Sequence, residues 1–270
     1  MTPLRPLTAL LVATGTAVTL TACGSTSAPS STGTSSAAGA TGSTSSLTGT
    51  VNVFAAASLQ EAFTTLKKQF ETAHPGVTIT PNFGASSALA QQINQGAPAD
   101  VFASASQTNM DQVVQSGGAS TSKAFAKNVG EIAVPPANPA NIASVKDLAK
   151  PGVKVALCQP QVPCGSIATK VFANAKITVT PVSQEADVKA VLTKVQLGDV
   201  DAGIVYVTDV KAAGDKVKGA EIPADINAST SYPIAALTKA PNPDAAAAFV
   251  AYVLSPEGQT LLKAGGFAAP

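Results

Sequence analysis

The chain has 270 residues, 17 basic and 16 acidic, for a formal net charge of +1 at pH 7. That balance argues against binding nucleic acid or anionic lipid through a basic surface. Arg5 is the only arginine, so nothing downstream can clamp a carboxylate or phosphate with a guanidinium.

In residues 1–20 a short segment carrying Arg5 precedes an apolar run, the pattern of a secretory signal. The run ends in Leu20-Thr21-Ala22-Cys23-Gly24, which resembles the lipobox of bacterial lipoproteins. Residues 1–22 are therefore expected to be a lipoprotein signal peptide and Cys23 the lipidated start of the mature chain. An ordinary signal peptide with an incidental cysteine is the alternative. Residues 23–48 are almost all Ser, Thr, Gly and Ala, without charge, and cannot bury enough surface to offset the entropy of ordering. They read as a flexible tether.

The remainder is long enough for two modest lobes or one α/β domain. Aromatic residues are only 4% and tryptophan is absent, so Ala, Val, Ile and Leu must build the core. Strand patterns fall at 51–56, 77–83, 101–105, 129–135, 154–158, 177–181, 202–206 and 232–237. Helix patterns fall at 59–73, 88–95, 108–116, 165–174, 186–197, 244–254 and 257–264. Their alternation predicts βα units and a largely parallel sheet, with no visible internal repeat and no second span of transmembrane length. The segment Glu131-Ile-Ala-Val-Pro-Pro-Ala-Asn-Pro139 breaks at prolines, as a connection between lobes would, and Ser231-Tyr-Pro-Ile-Ala-Ala-Leu237 reads as the return path. This puts 49–129 with 232–270 in lobe 1 and 130–231 in lobe 2.

With Cys23 assigned to lipid, Cys158 and Cys164 remain as a pair separated by five residues, for which a disulfide is the favoured reading and two free thiols the alternative. A zinc site is a poor fit, because the single histidine, His74, lies in another segment.

Four strand-to-helix turns carry small or hydroxyl residues. Ser58-Leu-Gln-Glu61 fits a capping box, with the serine at the N-cap and Glu61 reaching back. The others are Phe83-Gly-Ala-Ser-Ser-Ala-Leu89, Val162-Pro-Cys-Gly-Ser166 and Val182-Ser-Gln-Glu-Ala-Asp-Val-Lys189. Any one of them alone reads as an ordinary helix cap. Together, in a wound sheet, four such helix starts can face one crevice and hold an anion on backbone N–H groups without a formal cation.

Val53-Phe-Ala-Ala-Ala-Ser-Leu59, Phe83-Gly-Ala-Ser-Ser-Ala-Leu89, Gly96-Ala-Pro-Ala-Asp-Val-Phe102, Val162-Pro-Cys-Gly165 and Gly203-Ile-Val-Tyr206 resemble the molybdate-binding proteins of ABC-type uptake systems. The likeness runs from about residue 50 to 267 and includes Ser255-Pro-Glu-Gly258 and Gly266-Phe267. It implies a type II periplasmic-binding-protein fold: two mixed-sheet α/β lobes, joined by two crossovers, closing on molybdate or tungstate. It further implies a monomer, outside the cytoplasm and here lipid-anchored, that hands its ligand to an ABC permease. Carried over motif by motif, it puts Ser58 and Ser86 in the site through hydroxyl and N–H, Cys164 and Val188 through N–H, and Tyr206 through its phenol. Ser87 is the neighbouring candidate. Cys164 stands where alanine is common, a change that a backbone donor tolerates.

Hydrogen bonds to charged groups contribute about 1.5 to 3 kcal/mol each, so five to seven donors supply roughly 10 to 15 kcal/mol before association costs. A cage of donors also selects: hydrogen phosphate carries a proton that needs an acceptor, whereas molybdate, tungstate and sulfate do not. A sulfate or other tetrahedral-oxyanion receptor is the runner-up and a structural surface lipoprotein the alternative of another class. No cofactor is expected. A hydrolase would need a base beside its serine, and His74, in the turn Ala73-His-Pro-Gly76, is expected to be a surface loop residue; Tyr232 and Tyr252 are expected to serve packing.

Overall fold

The computed structural model describes residues 46–270; the expected signal peptide, Cys23 and nearly all of the expected tether lie outside the described residues. β1 (Gly49–Ala56) enters a 3-10 turn, Ala57–Leu59, and then α1 (Gln60–Ala73), whose Phe63, Leu66 and Phe70 recur on one face and are buried. β2 (Val77–Gly84), α2 (Ser86–Asn94), β3 (Val101–Ala103) and α3 (Gln107–Gln115) complete two further βα units. β4 (Lys123–Val134) is followed by β5 (Val155–Cys158), α4 (Pro163–Ala175), β6 (Ser183–Glu185), α5 (Val188–Leu197), β7 (Ala202–Tyr206) and α6 (Val207–Ala213). β8 (Lys218–Ala220), β9 (Ser229–Ala236), α7 (Pro243–Leu254) and α8 (Pro256–Ala264) close the chain.

The strands follow the order β2-β1-β3-β9-β4-β7-β5-β6, with β8 paired to β4. β1 lies parallel between β2 and β3, and β5 lies parallel between β6 and β7, so one winding pattern occurs twice. In each half the first strand has its successor on one side and the third strand on the other. That is the reversal at which helix starts open on a common crevice. The antiparallel β4 and β9 join the halves: residues 123–129 of β4 pair with β9, and 130–133 pair with β7. The sheet is therefore mixed rather than largely parallel, because the two long joining strands run against the wound ones.

Each half has its own apolar core. Val51, Val53, Phe63, Phe70, Phe125 and Phe249 anchor one; Val155, Ile167, Val171, Val191, Val195 and Ile204 anchor the other, against which Ala57 and Ala85 of the first half also pack.

Four elements differ from the sequence expectation. Residues 177–181 form no strand; Pro181 has no N–H for a ladder, and pairing with β5 begins only after it, at Ser183. α6 and β8 were not anticipated, being seven and three residues long, too short to show a period. β4 starts at Lys123 rather than 129, because its first residues pair with β9 and bury Phe125 and Ala126.

The cysteines are joined: Cys158 ends β5, Cys164 lies in the first turn of α4, and their Cα atoms are 5.7 Å apart. The return is tight enough that a Cβ at Gly165 would meet the Gln159 carbonyl oxygen at 2.0 Å, so only glycine fits there. Replacing both cysteines by alanine is expected to lower the unfolding free energy by about 2 kcal/mol, the entropy of closing so short a loop. Urea denaturation without reductant measures it; an unchanged midpoint would show that the bond constrains nothing.

Candidate functional site

Between the two wound halves lies a cavity of about 200 Å³, counted with its mouth, lined by Ser58, Ser86, Cys164, Val188 and Tyr206 among small apolar side chains. All five candidate residues from the sequence thus border one space, and Ser87 does not. Ser58 comes from the 3-10 turn after β1, Ser86 is the first residue of α2, Cys164 is the second of α4 and Val188 the first of α5. First-turn N–H groups have no carbonyl one turn back to bond, so each start brings unsatisfied donors and the positive end of a helix dipole.

Local chemistry decides which donors are left over. At α5 the N-cap Asp187 accepts the N–H of Lys189 at 2.9 Å and of Ala190 at 3.0 Å, and not that of Val188. Asp187 itself also borders the cavity. At α4, Pro163 occupies the first position with no N–H to satisfy, which leaves Cys164 as the first donor of that helix. Ser86 Oγ accepts the N–H of Ala105 at 2.9 Å, so its proton is unclaimed by that bond.

Tyr206 is 1% exposed, and its hydroxyl has no hydrogen-bond partner among the described residues. A buried phenol without a partner is costly and needs an explanation. Burial first, then the neighbouring Tyr232 and Asp209, hold its pKa well above the ordinary phenol value, so the group keeps its proton and can donate.

The capping box expected at Ser58 is absent. α1 begins two residues later, through the 3-10 turn, and the serine side chain turns inward to lie 2.8 Å from the Tyr232 hydroxyl. Glu61 is drawn instead to Lys189, whose Nζ donates to both carboxylate oxygens at 2.9 Å. Tyr232 is fully buried, with its hydroxyl beside Ser58 and its ring edge-on to Tyr206, a placement that its sequence context alone does not signal. Tyr252 bonds Gln69 at the surface, and His74 lies, as expected, in the loop between α1 and β2, half-buried with its ring 4.5 Å from that of Phe70. In the Gly96 to Phe102 motif, the buried Asp100 accepts the N–H of Asn52 at 2.7 Å and of Asn242 at 2.6 Å, a structural role that ties β1 to the entry of α7. Among the described residues no group of three or more His, Cys, Asp or Glu could hold a metal ion.

Beside the cavity, Lys189 Nζ lies 3.0 Å from Asp209 Oδ1, an ion pair by distance, although that oxygen meets no hydrogen-bond geometry. Asp209 Oδ2 accepts the N–H of Tyr206 at 3.1 Å. Burial pushes the Asp209 carboxyl up, against the opposing charge of Lys189. Burial draws the Lys189 ammonium down, but Asp209 and Glu61 together outweigh it and leave its pKa raised. Lys189→Met would leave Asp209 buried and unpaired, and is expected to destabilise the fold by about 3 kcal/mol at pH 7.5. Because the carboxyl pKa is already raised in the folded state and rises further without the lysine, the deficit should shrink as the pH falls and Asp209 takes up a proton. Thermal melts of both proteins at pH 7.5 and 5 measure this; a deficit that grows in acid would contradict it.

Residues 51–268 match the family described as bacterial extracellular solute-binding protein. The molybdate-binding protein ModA of Mycobacterium bovis is 43% identical over 224 residues, spanning 82% of this chain and 85% of the relative. ModA of Escherichia coli is 30% identical over 230 residues, spanning 81% and 90%. Among solved structures, the periplasmic molybdate-binding protein of Azotobacter vinelandii superposes with a TM-score of 0.71 at 21% identity over 82% of this chain and 99% of that one, a likeness of fold. The fold is that of the type II periplasmic-binding proteins, and the chain belongs to the bacterial extracellular solute-binding family, with the molybdate-binding proteins.

Proposed function

We propose that the protein captures molybdate, and tungstate with it, in the cavity between the two halves of the sheet and delivers it to an ABC permease. The observation that carries this reading is the buried hydroxyl of Tyr206, without a partner, at a cavity that Ser58, Ser86, Cys164 and Val188 also line. Taking a dianion out of water is expensive unless its hydration shell is replaced, and hydroxyls and first-turn N–H groups from five elements are suited to replace it. The cavity is small and walled by backbone and small side chains such as Ala56, Ala57, Gly84 and Ala85, which suits a small ion.

In this reading residues 49–129 with 232–270 form one lobe and residues 130–231 the other, the strands β4 and β9 serve as the hinge, and the permease reads the closed form. Binding makes and breaks no covalent bond, and in this reading the protein is a receptor rather than an enzyme, acting as a monomer. Lipidation at Cys23 would hold it to the outer face of the cell membrane, with residues 23–48 as its tether.

Calorimetry of the soluble domain with molybdate, tungstate, sulfate and phosphate tests the ligand. Molybdate and tungstate should bind tightly; heat with sulfate and none with molybdate would overturn the reading. Ser58→Ala and Ser86→Ala should each weaken molybdate binding more than tenfold while thermal melts stay cooperative, the loss of one hydrogen bond to a charged group. Cys23→Ala should move the protein from the membrane fraction to the soluble one; unchanged partition would remove the anchor.

A further inference from the structure

The Ser58 hydroxyl has a neighbour behind it that does not border the cavity. Ser58 Oγ and Tyr232 Oη are 2.8 Å apart and buried, and their distance does not say which one donates. Asn128 does. Its Oδ1 accepts the N–H of Val129 at 3.0 Å, which fixes the amide with Nδ2 on the opposite side. Nδ2 can only donate; it gives one hydrogen bond to Thr208 Oγ1 at 2.8 Å and reaches Tyr232 Oη at 3.5 Å. Because Nδ2 cannot accept, Ser58 Oγ is the one of the two hydrogen-bonding neighbours of Tyr232 Oη that can take its single proton. Ser58 then accepts from behind, and its proton turns to the side that borders the cavity.

We propose that Tyr232, aimed by Asn128, is a positioning and specificity-determining residue that makes Ser58 a donor toward the ligand. The proposal rests on the oxyanion reading above. A serine hydroxyl can rotate and either donate or accept, so unaided it could take the proton of hydrogen phosphate as readily as give its own to molybdate. Backed by Tyr232, one of its lone pairs is taken and its proton is turned away from the tyrosine, so giving is favoured over accepting. Ser86 is set in the same sense by the Ala105 N–H. Asn128 sits where β4 leaves β9 for β7, and Thr208 lies on α6 of the second half, so the orienting chain is anchored at the junction of the halves.

Tyr232→Phe keeps the ring and removes the hydroxyl. Molybdate affinity, by calorimetry, should fall three- to tenfold, while inorganic phosphate, by competition against molybdate at pH 7.5, should gain at least fivefold relative to molybdate. In a Ser58→Ala background the same change should alter neither value by more than twofold. An equal loss of molybdate affinity in both backgrounds, or an unchanged molybdate-to-phosphate ratio, would overturn the proposal and leave Tyr232 a packing residue. Asn128→Asp provides a second test that spares both hydroxyls. An acceptor there draws the Tyr232 proton away from Ser58, and the ratio should fall again; an unchanged ratio in a folded variant would count against the relay. If the unaltered protein does not bind molybdate, the functional reading itself has failed, an outcome distinct from either variant result.

Discussion

In the proposed function one constraint governs the arrangement: a charged ligand must be stripped of water without a cation to receive it. Without a guanidinium after Arg5, and with Lys189 committed to Glu61 and Asp209, the compensating groups are N–H dipoles and hydroxyls. Such donors are plentiful only where helices begin, so helix starts have to be gathered at one point. The doubled winding, β2-β1-β3 and β6-β5-β7, does this by sending α1 and α2 from one half and α4 and α5 from the other toward the same crevice. Small residues at the turns, Ala56, Ala57, Ala85 and Ala105, then let backbone rather than side chain form the wall.

Lys189 illustrates the same constraint from the other side. It follows Val188 directly, so an ammonium is available one residue from the cavity, yet it is turned onto Asp209 within its own half and Glu61 across the gap. The three charges sum to about one negative unit, which does not favour an anion nearby. The arrangement serves position instead. Asp209 holds the Tyr206 N–H, Lys189 keeps Asp209 paired, and Glu61 extends the contact to α1, so the Tyr206 phenol and the start of α5 are fixed relative to α1.

Much of this was legible in the sequence, for identifiable reasons. Long elements with clear periods, such as α1 with Phe63, Leu66 and Phe70, appear within a residue or two of their expected places. Ser58, Ser86, Cys164 and Val188 sit in local motifs at strand-to-helix turns, whereas Tyr206 is reached only through the family resemblance carried by Gly203-Ile-Val-Tyr206. The doubled strand order was not, since it lies in three-dimensional pairing and leaves no repeat in residue identity. Ser58 was misassigned as a cap because Ser-x-x-Glu is a local pattern, while its actual partner Tyr232 is 174 residues away. Tyr232, Asn128 and Thr208 were missed for the same reason: each is an ordinary buried polar residue until β4, β9 and α6 are brought together.

The two kinds of donor at the cavity differ in a way that explains those buried polar groups. A backbone N–H has its direction set by the helix it begins, so Cys164 and Val188 need nothing more than Pro163 and Asp187 to leave them free. A hydroxyl has no such direction and can serve either role until something else takes its lone pairs. Hence each cavity serine has a hydrogen-bonded neighbour, the Ala105 N–H behind Ser86 and the Tyr232 hydroxyl behind Ser58, whereas neither N–H requires one. Ser58 began as half of a capping box that would have bound its hydroxyl to the helix. Because the chain enters α1 through a 3-10 turn, that hydroxyl is released from the helix and passes under the control of residues distant in sequence on β9 and β4, where its direction becomes a property of the tertiary fold.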